Sequence, residues 1–259
     1  GILARGDENR IVNHGSVDVT VGDEAGQWSL DHWRGDAVGV AVYGSDNVFF
    51  SGGQAKIKVQ AVGKNADAMG VSVSGNGNWV VHTAGKDDEE YGIFAEAKGP
   101  YANAKGIQVG GTDNEVWNAG RVEVVATVPE AGEGDAQSED RDLGWLFATG
   151  MYAGGTGNAL KNVGEIKTVS EGERTNAVGM YAEGTGHVMR NWGAITAEAE
   201  GLDSAWVIGM ELHHGNHNLV SNAGDIVATA SGAQAFAFGL SAYGEEGNVI
   251  QNTGQVSVS

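Results

Sequence analysis

Cysteine is absent from this sequence of 259 residues, and proline occurs only twice. A chain without cysteine has no disulfide to hold its fold together. Few prolines are typical of a chain built from hydrogen-bonded strands, because proline lacks the backbone donor that a ladder needs. No apolar run approaches the length of about eighteen residues that a membrane-spanning helix requires. We therefore expect strand ladders to hold the fold, and no insertion into a membrane.

Basic residues are also scarce in this chain. There are 15 lysines and arginines against 34 aspartates and glutamates, which gives a formal net charge of −19. This charge argues against a nucleic-acid partner and against a basic face for anionic membranes, and it suits solubility outside the cell and loose binding of cations. Because the sequence starts at Gly1 with neither an initiator methionine nor a signal peptide, we expect a mature or trimmed product.

Glycine, in contrast, is abundant, and it recurs in pairs. The two glycines of a pair stand 14 or 15 residues apart in eight successive copies. The first, or leading, glycines are Gly1, Gly39, Gly70, Gly106, Gly150, Gly179, Gly209 and Gly239. The second, or trailing, glycines are Gly15, Gly53, Gly85, Gly120, Gly164, Gly193, Gly224 and Gly254. A repeat of this kind predicts a solenoid in which each copy forms one turn.

Apolar residues recur at fixed distances from these glycines. The residue four positions before the trailing glycine is apolar in every copy: Ile11, Phe49, Val81, Val116, Leu160, Met189, Val220 and Ile250. The next residue varies freely, as expected for a strand with one buried face. Similar alternation follows both glycines. Each turn is thus predicted to contain a leading strand at the leading glycine, a trailing strand before the trailing glycine, and a third strand after it.

Asparagine forms two further columns at the corners of the turns. The column two residues before the trailing glycine is predicted to be a structural ladder of Asn13, Asn118, Asn162, Asn191, Asn222 and Asn252, with Ser51 and Thr83 in the other copies. The column six residues before that glycine contains Asn9, Asn47, Asn114, Asn158, Asn218 and Asn248, interrupted by Trp79 and His187. Asparagine suits tight turns, and its stacked side chains can hydrogen-bond along an axis.

These columns predict an all-β fold, a single-domain parallel β-helix of residues 1–259 with about eight turns, about 30 residues per turn and three short strands per turn. The pattern Asn-x-Gly-x-Ile, then Ala-x-Gly-Met-x-Ala, then Gly-x-Gly-Asn-x-Val-x-Asn-x-Gly resembles the repeats of bacterial autotransporter passenger domains, over essentially the whole chain. The resemblance implies right-handed winding and an extracellular or bacterial cell-surface location.

Three insertion loops interrupt the repeat, at about 22–36, 86–91 and 128–145. All fall in the first half of the chain and at the same corner, so they should project from one edge of the solenoid, which in repeat proteins is often the binding face. Their exposed aromatics are candidates for stacking on sugars or contacting a protein, although packing back onto the solenoid is the alternative. The candidate ligand-binding residues are Trp28, Trp33 and Trp145.

Metal binding has two candidate locations. The long loop is acidic, and its carboxylates are of the type that calcium prefers, although it lacks the regular spacing of a known calcium loop, and a solvated charge run is the favoured interpretation. The candidate metal ligands there are Glu133, Asp135, Asp140 and Asp142. His213, His214 and His217 are the second location, where polar corner residues are the favoured interpretation over zinc. We expect no cofactor beyond loosely bound calcium.

The outward columns favour a non-catalytic function. β-Helices that cleave polysaccharides need clustered carboxylates, or a carboxylate-bound calcium with a basic residue, on one strand face. We find no Asp/Asp or Asp/Arg stack across adjacent turns. The sequence therefore predicts an adhesin or structural passenger that binds a glycan or a host surface protein through its one-edge loops. Two alternatives stay open: a filament subunit that stacks head to tail through its uncapped ends, and a polysaccharide-active enzyme.

Overall fold

The structure, a computed structural model, describes residues 1–22, 34–85, 88, 90–128 and 144–259. These residues form strands and turns, and among them there is no helix that is long and apolar enough to cross a membrane. The predicted site residues Trp28, Trp33, Glu133, Asp135, Asp140 and Asp142 lie outside the described residues, and their roles stay predictions.

All the strands belong to parallel ladders. The strands of the first four turns are β1 (Ile2–Arg5), β2 (Arg10–Asn13), β3 (Ser16–Val21), β4 (Arg34–Tyr43), β5 (Val48–Ser51), β6 (Lys56–Val62), β7 (Asn65–Ser74), β8 (Trp79–His82), β9 (Gly92–Lys98), β10 (Tyr101–Thr112), β11 (Glu115–Asn118) and β12 (Arg121–Thr127). Those of the later turns are β13 (Trp145–Thr156), β14 (Ala159–Asn162), β15 (Glu165–Thr185), β16 (Val188–Asn191), β17 (Ala194–His213), β18 (Leu219–Asn222), β19 (Asp225–Ala242), β20 (Val249–Asn252) and β21 (Gln255–Val258).

The strands assemble into two sheets that wind round one core. The eight trailing strands pair in the order β2-β5-β8-β11-β14-β16-β18-β20, and the leading and third strands form a sheet of 13 strands. From the fifth turn on, the third strand of one turn continues into the leading strand of the next, as β15, β17 and β19, through a local register shift. The parallel β-helix is thus confirmed, and its later strands are longer than predicted because the corner between them closes without a loop.

The core is built from columns in which like residues of successive turns face one another. The trailing-strand column runs Ile11, Phe49, Val80, Val116, Leu160, Met189, Val220 and Ile250. Its six middle members are at most 1% exposed, whereas Ile250 in the last turn is 47% exposed. The burial of each turn therefore depends on having a neighbour on both sides, as in other solenoids.

The leading glycines mark a place where two strands approach too closely for a side chain. A Cβ added to Gly179 would collide with the side chain of Ile195 on the third strand and lie 2.6 Å from the carbonyl oxygen of Gly209. The glycine column is needed because the chain bends there, with the glycine and the residue after it both facing the core.

The third turn is one residue out of the predicted alignment. Its column positions are occupied by Asn78, Val80 and His82, in place of the predicted Trp79, Val81 and Thr83. The alignment from sequence relied on Gly85, but the corner of this turn is one residue longer than the others, so the glycine comes three residues after the ladder position. Pairing with the neighbouring turns sets the register, because a slip by one residue would turn the buried face outward.

Asparagine side chains join successive turns in two ladders. The first ladder precedes the trailing strands and is made by Asn9, Asn47, Asn78, Asn114, Asn158, His187, Asn218 and Asn248. In each turn the backbone N–H donates to the side chain of the next turn. His187 replaces an asparagine without a break, because its Nδ1 accepts from the N–H of Asn158 at 3.2 Å. Its Nε2 therefore carries the proton and donates to the Glu183 carbonyl at 3.0 Å.

The second ladder follows the trailing strands and is continuous only in the later turns. The side-chain amides of Asn118, Asn162, Asn191 and Asn222 each donate to the Oδ1 of the next member, ending at Asn252, at 2.8 or 2.9 Å. The same positions in the first three turns hold Asn13, Ser51 and His82. Each of these has one buried side-chain atom without a partner among the described residues.

Candidate functional site

The outward side of the leading strands, here called the leading face, carries aromatic and titratable side chains along several turns. It lies beside the predicted insertion edge, because residues 23–33 directly precede β4 and residues 129–143 come just before β13. Trp145 is the first residue of β13, and it is 37% exposed on this face. The two predicted insertions thus directly precede leading strands in the sequence.

An aromatic shelf occupies one part of this face. Its members share the outward positions of the strand segments that precede the leading glycines, and they are Trp145, Phe147, Trp206, Phe236 and Phe238. The residues between them, such as Leu146 and Val207, point into the core. The rings project outward because residues in a strand alternate between its two faces.

Four rings of the shelf stack in two pairs, one within β13 and one between β17 and β19. The ring centroids of Trp145 and Phe147 are 6.3 Å apart, and those of Trp206 and Phe236 are 4.7 Å apart, both pairs stacked. Asn176 lies between Phe147 and Trp206 in the ladder. Four of the five side chains still rank among the exposed large hydrophobic residues. An exposed apolar area of this kind is a common sign of an interaction site.

A stack of tyrosines lies further along the same strands. The rings of Tyr152 and Tyr181 are 5.5 Å apart and nearly parallel, with an interplanar angle of 9°. The Nζ of Lys105 lies 4.7 Å from the centroid of Tyr152, and the ring of His213 lies 6.0 Å from that of Tyr181. Because both tyrosine faces are covered, the stack presents its edges and hydroxyl groups to solvent.

Two carboxylates sit beside these tyrosine hydroxyls. Burial, followed by the charges of Glu183 and Glu211, raises the pKa of Tyr181 well above its usual range. Burial also raises the pKa of Glu211, against the opposing effect of a hydrogen bond from His213, whose Nδ1 is 3.3 Å from Oε1. The cluster thus keeps Tyr181 protonated at neutral pH, as a hydrogen-bond donor.

A polar cluster at the start of the leading face corrects one expectation from the sequence. Asp36 and Asp67 face each other in adjacent turns, so the prediction of no Asp/Asp stack was wrong. The next turn adds Asn103, whose Nδ2 donates to Asp67 Oδ1 at 3.0 Å. Lys105 is close by, and burial lowers its pKa while the charge of Asp67 opposes that shift. The stack was missed because it precedes the leading glycine, outside the columns read from the sequence.

Metal coordination finds little support in the described part of the chain. No group of three or more histidine, cysteine, aspartate or glutamate side chains that could hold an ion occurs there. The rings of His213 and His214 meet edge to face at 4.2 Å, and His217 is separated from them by a turn with positive φ at Gly215. The three histidines are therefore not brought together as one set of metal ligands.

Of the aromatic shelf, the sequence singled out only Trp145. The other four residues lie in strand segments that were treated as spacers between one turn and the next. The only local signal was a continuous apolar run from Ala205 to Ile208, which does not show which side of the strand faces outward. The spacing from the leading glycine would have revealed the shelf had the columns been extended backward.

Comparison with known proteins gives one match. The family model described as the BigA third pectate lyase-like domain matches residues 2–217. A search of curated proteins and a search of solved structures found no match. The matched residues include the polar cluster, the tyrosine stack and the first three members of the aromatic shelf.

Proposed function

The chain belongs to the family of the BigA third pectate lyase-like domain, and from this premise we propose that it is a non-catalytic binding domain at the cell surface. In this proposal it acts as an adhesin or passenger domain of the autotransporter type, in line with the repeats it resembles. The rigid β-helix presents the leading face, and the adjoining insertion loops border the ligand. Assembly of copies into a filament stays a prediction from sequence.

The aromatic shelf is the observation that carries this proposal. Two stacked ring pairs, separated by Asn176, and Phe238 place apolar area on the outward side of the turns from β13 to β19. Aromatic residues are enriched at protein interfaces and dominate their binding energy. Such an exposed surface costs solubility, and it is retained where a partner covers it.

The packing of the rings favours a protein partner over a sugar at the shelf. A sugar that binds an aromatic residue needs a free ring face. In the shelf, ring faces such as those of Trp206 and Phe236 are turned toward each other, 4.7 Å apart. What remains exposed is the rims, against which apolar side chains of another protein can pack. We therefore assign a host surface protein to this face.

Binding to epithelial cells tests the proposal. We expect labelled protein to bind saturably to intact cells, and to lose this binding when the cells are first treated with protease. The double variant Trp206→Ala, Phe236→Ala should bind at least about tenfold more weakly, since aromatic hot-spot residues are each worth about 2 kcal/mol or more.

The matched control is a double variant that loses exposed apolar side chains from the same turns but outside the aromatic shelf. Leu202 is 79% exposed and Val227 is 40% exposed, so Leu202→Ala, Val227→Ala should leave binding unchanged. Equal binding by wild type and the shelf variant, or binding that survives protease treatment of the cells, would contradict a protein ligand on this face.

A polysaccharide-cleaving enzyme is the second candidate, and the polar cluster is the observation that favours it. The family name refers to a pectate lyase, and Asp36, Asp67, Asn103 and Lys105 place carboxylates beside a base of lowered pKa. Incubation with polygalacturonate, followed by assays for unsaturated products and for new reducing ends, tests this candidate. If the wild-type protein cleaves polygalacturonate and the Asp67→Asn variant does not, the enzyme candidate replaces the non-catalytic proposal.

A further inference from the structure

A second outward surface, here called the trailing face, differs in composition from the rest of the chain. It consists of two outward positions on each of the eight trailing strands. Ten of these positions are apolar: Val12, Val48, Phe50, Trp79, Val81, Trp117, Ala159, Val188, Leu219 and Val249. The charged ones are Arg10, Glu115, Lys161 and Arg190. The face is therefore +2 in a chain of −19, which leaves −21 for all other residues.

Two cations face each other in adjacent turns of this surface. Lys161 and Arg190 are register partners, and they are the only two Lys or Arg side chains so paired in the ladders of the described residues. The Nζ of Lys161 forms a 2.7 Å ion pair with Glu115. Arg190 has no ion-pair partner among the residues that the structure describes. Like charges placed directly opposite are destabilising, so an anion that binds between them would relieve a cost built into the ladder.

Tryptophans lie near the cation pair, and none of their rings belongs to an aromatic stack in the described residues. Trp117 precedes Lys161 in the same column, with the Nζ 5.7 Å from its ring, and Trp192 stands two residues after Arg190. Trp79, Trp117 and Trp192 are 50%, 36% and 46% exposed. In the described chain none of them stacks on another aromatic ring. This is the opposite of the shelf, and it leaves flat apolar surfaces on which a sugar ring can lie.

The shape of the trailing face suits a linear ligand. Eight strands at a ladder spacing of about 4.8 Å give a length of roughly 34 Å, and strands of four residues give a width of roughly 13 Å. Such a strip offers roughly 450 Å² to a partner, well below the 800 Å² or so per side of a stable protein complex. A second copy of the chain, or a globular protein, would therefore be held weakly, whereas an extended chain can follow the strip along its length.

We propose that the trailing face binds an extended polysaccharide that carries sulfate or carboxylate groups. Arg190 and Lys161 meet the anionic groups, and Trp117 and Trp192 contact the sugar rings on either side. The guanidinium of Arg190 fits the planar or branched oxygens of these anions better than an ammonium does. This site is separate from the shelf, so the two surfaces can hold a protein and a glycan independently.

Three glycans of equal length test the proposal: dextran, dextran sulfate and carboxymethyl-dextran. We expect wild type to bind at least one of the charged polymers about tenfold more tightly than neutral dextran, with the preferred polymer identifying the anionic group. Arg190→Gln should remove most of this preference, Arg190→Lys should keep part of it, and Trp117→Ala, Trp192→Ala should weaken binding of the charged polymer. Higher salt should weaken it further.

The control is another exposed arginine, Arg174, which lies on the leading side in an ion pair with Asp203. Arg174→Gln lowers the net charge by the same amount as Arg190→Gln but lies away from the trailing face, so it should not change binding. Equal affinity for neutral and charged dextran would overturn the proposal, and so would equal losses in Arg174→Gln and Arg190→Gln. Loss of cell binding by the shelf variant with glycan binding intact would separate this site from the proposed protein site.

Discussion

The second asparagine ladder runs through all eight turns of the solenoid, but its side-chain hydrogen bonds differ between the first three turns and the later five. From Asn118 to Asn252 each side-chain amide donates to the next, at 2.8 or 2.9 Å. In the first three turns, Asn13 Nδ2, Ser51 Oγ and His82 Nδ1 are buried without a partner in the described structure. The backbone ladder beside them continues without interruption.

The difference shows what each part of the corner contributes. The strands stay in register in both regions, so backbone pairing and buried columns are sufficient to align the turns. The side-chain ladder is an additional source of stability, which requires a group of the right length carrying both a donor and an acceptor. Serine is too short to reach the next turn, and the imidazole of His82 directs its Nε2–H to the Arg121 carbonyl at 3.0 Å instead. The later turns should therefore be the more stable part of the coil.

The largest difference in stability between the later and the first turns is expected for substitutions in the buried apolar column of the trailing strands. Val220 is fully buried, so Val220→Asp should lower the free energy of unfolding by about 4 kcal/mol, because it places an unpaired charge in the core. Ile11→Asp, in the half-buried first turn, should cost clearly less. Urea denaturation followed by circular dichroism measures both. Equal costs would mean that the two ends are packed alike.

The ladder itself should show the next largest effect. Asn191 accepts from Asn162 and donates to Asn222, each at 2.8 Å, so Asn191→Ala removes both short bonds: Asn222 Oδ1 loses its donor, and Asn162 Nδ2 keeps only its longer contacts with the Gly164 and Ala194 carbonyls. We expect a loss of about 3 kcal/mol, from unsatisfied buried groups. Asn13→Ala should cost less than about 1 kcal/mol, since its amide nitrogen makes no bond to lose. A loss at Asn13 as large as at Asn191 would contradict the distinction between the two regions.

The smallest effect should come from His82, and it depends on pH. Burial lowers the pKa of His82 from 6.5 to about 4, against a hydrogen bond to the Arg121 carbonyl that raises it. The folded pKa is depressed, so the unfolded chain binds a proton first as the pH falls. The stability associated with neutral His82 is therefore present above pH 6.5 and is lost between pH 6.5 and about 4.

His82→Asn removes this dependence and restores the ladder residue. The variant should lie within about 1 kcal/mol of wild type at pH 7, and should be more stable than wild type by about 2 kcal/mol at pH 5, from the linkage of 1.36 kcal/mol per pKa unit. Thermal unfolding of both proteins between pH 7 and pH 4.5 measures the difference. If the difference does not change with pH, His82 is not buried as a neutral side chain.

Most of the fold could be predicted from the sequence, because a solenoid repeats the same physical requirement in every turn. One column of eight apolar residues, such as Val116 and Met189, is enough to identify a buried strand face. The alignment failed in turn three, where the extra corner residue before Gly85 changed the glycine spacing, and in the third strand of turn two, where Val17 pairs with Ile57 and not with Ala55. A local spacing cannot show which residue pairs with the adjacent turn, since that is decided by the buried columns on either side.

The candidate sites were less predictable for a different reason. The buried columns constrain their residues to be apolar in every turn, whereas outward positions such as Trp206 or Arg190 face no core and therefore carry no repeating signal. Asp36 and Asp67 are 31 residues apart in sequence and become neighbours only through the pairing of β4 with β7. The outward column of the trailing strands was aligned correctly except in turn three, but the role of its cations became visible only when the charge of the whole face was compared with the charge of the chain.

The direction of the inter-turn hydrogen bonds has a mechanical consequence. These bonds run along the axis of the coil, so a pull along that axis loads the outermost strand first and separates the turns in succession. Each released turn of about 30 residues would lengthen the chain by roughly 100 Å, in place of a ladder spacing of about 4.8 Å. If such a protein is anchored at one end and bound to a partner through its sides, flow would extend it in steps. Each released turn would lower the tension on the bond to the partner.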